Sequence, residues 1–347
     1  MKALMLFNKG NLQLVDVEKP SIEDNKVLIK IAYSSICGSD LALIEGSGPN
    51  WTKLPVIPGH EFSGIINEVG GNVNNVQIGD KVIVDNYINC NSCYYCKKGE
   101  YFYCDNHSEP GFSQNGGFAE YCLLPSANVV KIPKGLSLKN AAIAEPTANA
   151  LKACNIAEIK KREIVLILGC GPIGLIVAMI CKSMGARVIV LGRGERLKRF
   201  KGFNFECLID TNKENWVEVI KENYGHYTQN WGLEAIDKFI DATQTGTLIY
   251  DSIKLLKRKG KGILIGLSKN DDALFVPRND IVIKGIKLIG STSGQGYFYE
   301  ALSYLLAGDV DAEKIITHIF PLKDALSAFE VCKKRIEGAM KVVIKSD

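Results

Sequence analysis

The chain has 347 residues, 46% of them hydrophobic and 23% charged, with a formal net charge of +4. That length exceeds what one core usually serves, so two domains are expected, and mixed charge spread along the chain excludes the footprint of a nucleic-acid binder. Eleven cysteines, an odd number with four at metal spacing, speak against a disulfide framework and for a reducing cytoplasm. The N-terminal apolar run is too short for a signal peptide, and no stretch of about 18 apolar residues suggests a membrane span.

Up to about residue 125, short alternating or β-branched runs are broken by Gly, Pro and Asn, at 12–17, 27–33, 62–69, 81–84 and 118–124. Their period of two predicts an antiparallel β domain. Into it falls the pattern C-x2-C-x2-C-x7-C of Cys90, Cys93, Cys96 and Cys104. Four thiolates close a tetrahedral zinc site and leave no open position, so the spacing predicts a structural lobe at about 88–106 that takes no part in chemistry.

After Glu145 apolar strands alternate with helices: a strand at 164–168, a helix at 172–184, then strands at 188–191, 239–241 and 263–265. That alternation predicts βαβ units on a parallel sheet. The last segment carries helical patterns at 298–306 and 326–333 and a strand at 340–345. The apolar run 281–289 reads as an edge strand able to pair across a homodimer or within a homotetramer.

The first of these strands runs into Gly169-Cys-Gly171-Pro172-Ile173-Gly174, a G-x-G-x-x-G pattern that opens a helix. Gly169 permits the tight turn, Gly171 lets the backbone approach a pyrophosphate, and Gly174 allows close strand–helix packing. The next strand ends in Gly192-Arg193-Gly194-Glu195-Arg196 rather than in the acid that reads the ribose hydroxyls of NAD. Glycine at that tip removes a charge that would repel a 2′-phosphate, and Arg193 and Arg196 are placed to bind it. NADP(H) is therefore favoured over NAD(H).

Upstream stand Ser35-Ile-Cys37-Gly-Ser39-Asp40, then Pro58-Gly-His60-Glu61, then Ala144-Glu145-Pro146. One thiolate, one imidazole and a carboxylate make a zinc site with a position left for water or substrate.

In that order, C-G-S-D, G-H-E, the four-cysteine lobe, Gly116-Gly-Phe-Ala-Glu-Tyr121, A-E-P and G-x-G-x-x-G resemble the zinc-dependent medium-chain alcohol and polyol dehydrogenases from the first strand to the last. The resemblance implies an α/β plus β protein. A GroES-like catalytic β-barrel domain would span 1–149 and 291–347, and a Rossmann coenzyme domain 150–290. It implies Cys37, His60 and Glu145 as ligands of a catalytic zinc, with Glu61 the alternate ligand, and thus two zinc ions per chain. It implies hydride transfer between nicotinamide and a small-molecule alcohol or ketone, with Ser39 accepting the hydroxyl proton.

A carboxylate at Glu145, where simple alcohol dehydrogenases carry a second cysteine, points to polyols, cyclitols or sugar derivatives. Relatives often complete the proton relay with a histidine five residues after the cysteine, where this chain has Ala42. Trp51 and Lys53 lie in a loop expected to wall the substrate site, and Asp241-Ala-Thr243 resembles the family's strand end near the coenzyme, with Gln244 in place of the usual glycine. Two other readings stay open: an NAD-dependent sorbitol- or threonine-type dehydrogenase, and a non-catalytic zinc- or nucleotide-binding protein.

Overall fold

A computed structural model of the chain describes residues 1–243, 245–267 and 275–346. Gln244 lies outside them. The chain forms two compact units, one of Met1–Ala148 with Gln295–Asp347 and one of Asn149–Gly294.

The first unit is built on a seven-stranded sheet. Strands Ile316–Pro321, Lys341–Lys345, Lys26–Ser35, Glu61–Val69, Lys81–Val84 and Val129–Lys131 lie side by side, and Tyr121–Pro125 pairs with Lys26–Ser35. Ladders between Lys26–Ser35 and its neighbours are antiparallel, while Ile316–Pro321 runs parallel to Lys341–Lys345. Alternation along Lys26–Ser35 sends Val27, Ile29 and Ile31 into one core with Phe62, Ile66, Val82, Val84 and Leu124. Each such side chain, fully buried, contributes about 1.5–3 kcal/mol. A second cluster gathers Leu4, Ile36, Phe118, Phe329, Val342 and Ile344.

The strand expected at 118–124 begins at Tyr121 instead. Phe118 donates its N–H to Pro58 and accepts from Leu4 at 2.8 Å, and its ring lies 5.3 Å from that of Phe329. It anchors the loop that carries His60 rather than a ladder.

The second unit holds a six-stranded parallel sheet in the order Cys207–Asp210, Arg187–Gly192, Ile164–Leu168, Ile236–Asp241, Leu256–Leu264, Lys287–Gly290. In chain order that is 3-2-1-4-5-6, the doubly wound arrangement of dinucleotide-binding sheets. Leu256–Leu264 is far longer than the strand expected at 263–265. Four basic residues at 257, 258, 259 and 261 hide it in the sequence; Lys261, for one, is buried with its ammonium on the carbonyl of Ile156 and the carboxylate of Glu158.

The run 281–289 is not one strand. Residues Arg278–Lys284 form a helix, Gly285 closes it at φ +61°, and only Lys287–Gly290 joins the sheet. Pro277 just before the helix and a glycine in the left-handed region just after it are ordinary start and stop signals, and here they outweigh β-propensity.

Candidate active site

The central strand Lys26–Ser35 delivers the site. Ser35 pairs with Glu61 on one side and with Val343 on the other, so three adjacent strands end together around Cys37. Cys37 caps the helix Gly38–Ile44, and the Asp40 carboxylate reaches back to accept the Cys37 N–H at 2.8 Å. This is half of a capping box, and it fixes the turn that presents the thiol.

Sγ of Cys37, a ring nitrogen of His60 and a carboxylate oxygen of Glu61 all lie within 4.8 Å of one another. The other Asp40 oxygen faces Nδ1 of His60 at 3.4 Å, a loose ionic contact rather than an aligned hydrogen bond. Nε2 stands on the far edge of the ring, 3.4 Å from the Ser39 hydroxyl. Burial opposes charge on His60, but Asp40 and Cys37 outweigh it and hold the imidazole pKa well above its usual value.

Glu145 stands outside this group. It lies buried in the first turn of the helix Ala144–Ala157. Its charge reaches the site through Lys341, whose buried ammonium pairs with Oε2 of Glu61 and lies 3.5 Å from the carbonyl of Ile36. Burial works against that ammonium, yet Glu61, Cys37 and Glu145 together raise its pKa above the ordinary lysine range. Ser35 donates to the same Glu61 oxygen. A thiol, an imidazole and a carboxylate paired with one lysine suit a divalent cation of zinc's ligand preference.

Neither Lys341 nor the orienting role of Asp40 is assigned from the sequence. The available signals are a lone charge inside the apolar run 340–344 and an acid three residues into a helix capped by a cysteine. Trp51 packs edge-on against Phe112 and His107, and Lys53 is exposed.

The four lobe cysteines likewise bring their sulfurs within 4.8 Å of one another. The Sγ atoms of Cys90 and Cys96 are 4.0 Å apart, far beyond a disulfide and close to the edge of a zinc tetrathiolate. N–H groups of Cys90 and Cys96 point at Sγ of Cys104 and Cys93, and hydrogen bonds from Ser92 and the backbone lower the Cys90 thiol to about 5. A two-way backbone bridge between Ile88 and Ser108 closes the base of the lobe.

In the second unit, Gly169 has φ +108°, and a Cβ on Gly174 would come within 2.0 Å of the Gly169 carbonyl oxygen. Gly171 caps the helix Pro172–Ser183, with Pro172 and Ile173 in its first turn. A Cβ at Gly171 would lie 4.0 Å from Nη1 of Arg196, so that guanidinium stands beside the glycine loop. Arg193 is exposed at the cap of Gly194–Lys198. Gly192 has a packing reason too, since a Cβ there would meet Sγ of Cys170 at 2.5 Å. Asp241 accepts two bonds from Thr243, at 2.9 and 2.6 Å, and burial raises its carboxyl to about 6.

Residues 23–134 match the alcohol dehydrogenase GroES-like domain family and residues 172–307 the zinc-binding dehydrogenase family. The chain is 34% identical over 343 residues to D-arabitol-phosphate dehydrogenase of Enterococcus avium, covering 97% of this chain and 94% of that one. The chain belongs to the zinc-type medium-chain alcohol dehydrogenase family. A zinc-binding dehydrogenase from Sinorhizobium meliloti 1021 bound to NADP superposes with a TM-score of 0.90 at 26% identity, covering 99% of this chain and 98% of its own. RspB from Escherichia coli CFT073, complexed with NADH, gives the same TM-score and identity over 99% of each chain. As a zinc-type alcohol dehydrogenase, the chain is an oxidoreductase acting on a CH–OH group with a nicotinamide coenzyme, and it joins a GroES-like domain to a Rossmann domain. Among the described residues no helix of this zinc-type alcohol dehydrogenase is long and apolar enough to cross a membrane.

Proposed function

We propose that the enzyme interconverts a secondary alcohol and its ketone on a polyol, cyclitol or sugar derivative, using NADP(H) in preference to NAD(H). The observation that carries this reading is the donor set of the site: one thiolate and one imidazole grouped with the carboxylate of Glu61, with a second carboxylate, Glu145, coupled to them through Lys341. Oxygen donors make a harder centre than a pair of thiolates, suited to an oxygen-rich substrate.

Cys37, His60 and a carboxylate from Glu61 or Glu145 would hold one zinc ion, and Cys90, Cys93, Cys96 and Cys104 a second. When bound, zinc supplies Lewis acidity that lowers the pKa of a substrate hydroxyl, and nicotinamide supplies the hydride acceptor or donor. The protein's own part is positional. Asp40 faces the Nδ1 edge of the His60 ring at 3.4 Å and biases its orientation electrostatically. Ser39, whose hydroxyl lies 3.4 Å from Nε2 of His60, takes the substrate proton at its Oγ. Arg196 beside Gly171 and Arg193 just past the second strand would read the 2′-phosphate, the strand itself ending in Gly192 rather than in an acid.

Titration of NADPH and NADH into zinc-loaded protein, followed by polyol and ketone panels with the tighter coenzyme, tests the proposal. Tighter NADPH, and a selective loss of NADPH affinity in Arg193→Ala, are expected. Preference for NADH moves the reading to an NAD-dependent sorbitol-type enzyme, and binding of neither removes it.

A further inference from the structure

A buried acid stands beside the metal-ligand group with no role in holding it. Glu109 is 6% exposed and sits on the turn that packs against the His60 segment. Phe112 N–H bonds the Glu109 carbonyl at 3.2 Å, and the Phe112 ring centroid lies 5.3 Å from that of His60. Gly111, at φ +90°, is pressed so closely on Gly59 that a Cβ would meet its backbone nitrogen at 2.8 Å. The turn therefore cannot shift without moving His60.

No cation pairs with Glu109 among the described residues. Its Oε1 accepts from Nδ2 of Asn86, a side chain only 1% exposed, and Oδ1 of Asn86 is buried with no hydrogen-bond partner. The field of His60 reaches the carboxylate, as do those of Asp40 and Asp85. A buried acceptor left without a donor, as Oδ1 of Asn86 is, is costly, and proteins keep such a group where a ligand supplies the donor.

We infer that Glu109, held by Asn86, is the hydroxyl acceptor of the substrate pocket, selecting an alcohol that carries a further hydroxyl over a monohydric one. The assignment rests on the polyol reading above and names the residue responsible for it. An unpaired amide oxygen on the side chain that holds a carboxylate with no fixed cation suits an O–H donor. Burial also raises the Glu109 carboxyl to about 7, and a hydroxyl, which donates and accepts, pairs with a carboxyl in either form. The half-buried ring of Trp51, packed edge-on against Phe112, offers an apolar surface to the carbon skeleton of such a substrate.

The test uses zinc-loaded enzyme with (2R,3R)-2,3-butanediol and 2-butanol, which differ by one hydroxyl. In Glu109→Leu the diol-to-monoalcohol ratio of kcat/KM should fall by about 10- to 100-fold, with zinc content unchanged. Calorimetric affinity of the coenzyme-loaded protein for the diol should weaken by a similar factor. The isosteric Glu109→Gln, should the leucine variant melt early, is expected to lower the ratio by at least about 3-fold. An unchanged ratio, or a parallel loss for both alcohols, overturns the assignment. Wild-type enzyme that treats the two alcohols alike overturns it while leaving the dehydrogenase reading intact. Wild-type enzyme that neither oxidises them nor binds the diol removes both.

Discussion

Removing the ammonium of Lys341 exposes how the metal-ligand group is held in charge balance. Lys341→Met keeps the apolar stem and strands the Glu61 carboxylate, whose side chain is 1% exposed, with Ser35 as its remaining donor. Breaking a buried pair from one side costs about 3–5 kcal/mol, because the surviving charge has neither water nor counter-ion. Glu61→Gln should cost a similar amount, since it leaves a lysine 4% exposed facing only the backbone and more distant charges. The double variant removes both charges and should fall only about 1–2 kcal/mol below wild type, so the coupling energy is about 4 kcal/mol or more. Urea unfolding of the metal-free proteins, followed by circular dichroism, measures all four corners of the cycle. Single losses that simply add, with coupling under about 0.5 kcal/mol, would show that Lys341 and Glu61 do not form the pair described.

Cys96→Ser should lower the zinc content by about one ion per chain and destabilise the lobe, whose fold depends on its sulfurs, and elemental analysis with thermal melting checks both. Unchanged metal content rejects the lobe as a zinc site. Asp241 carries a pH signature: its carboxyl titrates near 6 in the folded chain and near 4 when unfolded. The folded state binds that proton more tightly, so its contribution is fully present below about pH 4 and is lost as pH rises through 6, amounting to at most about 3 kcal/mol. Asp241→Asn can still accept from Thr243 and should gain stability relative to wild type across that window in metal-free protein. A difference that stays constant from about pH 4 to 7 refutes the burial argument.

The sequence by itself carried whatever depends on residue type at short spacing. Four thiols in fifteen residues identify their own site, because the ligands are brought together by a few local turns. Gly169, Gly171 and Gly174 are equally legible, since each glycine answers a local need: a positive φ, an open approach, or a contact that no Cβ survives. The parallel sheet of the second unit follows from the alternation of strands and helices, though its strand order does not.

What needed the tertiary structure is whatever depends on pairs far apart in the chain. Lys341 meets Glu61 across 280 positions because their strands both flank Lys26–Ser35, and nothing near either residue announces the other. Glu109 reaches the surroundings of His60 only because its turn is pressed on Gly59. The run 281–289 divides into helix and strand where Gly285 enters the left-handed region, a choice that apolar content alone leaves open. Local spacing names the groups that can do chemistry; burial beside a distant partner sets their charge, because only the folded chain excludes the water that would otherwise screen them.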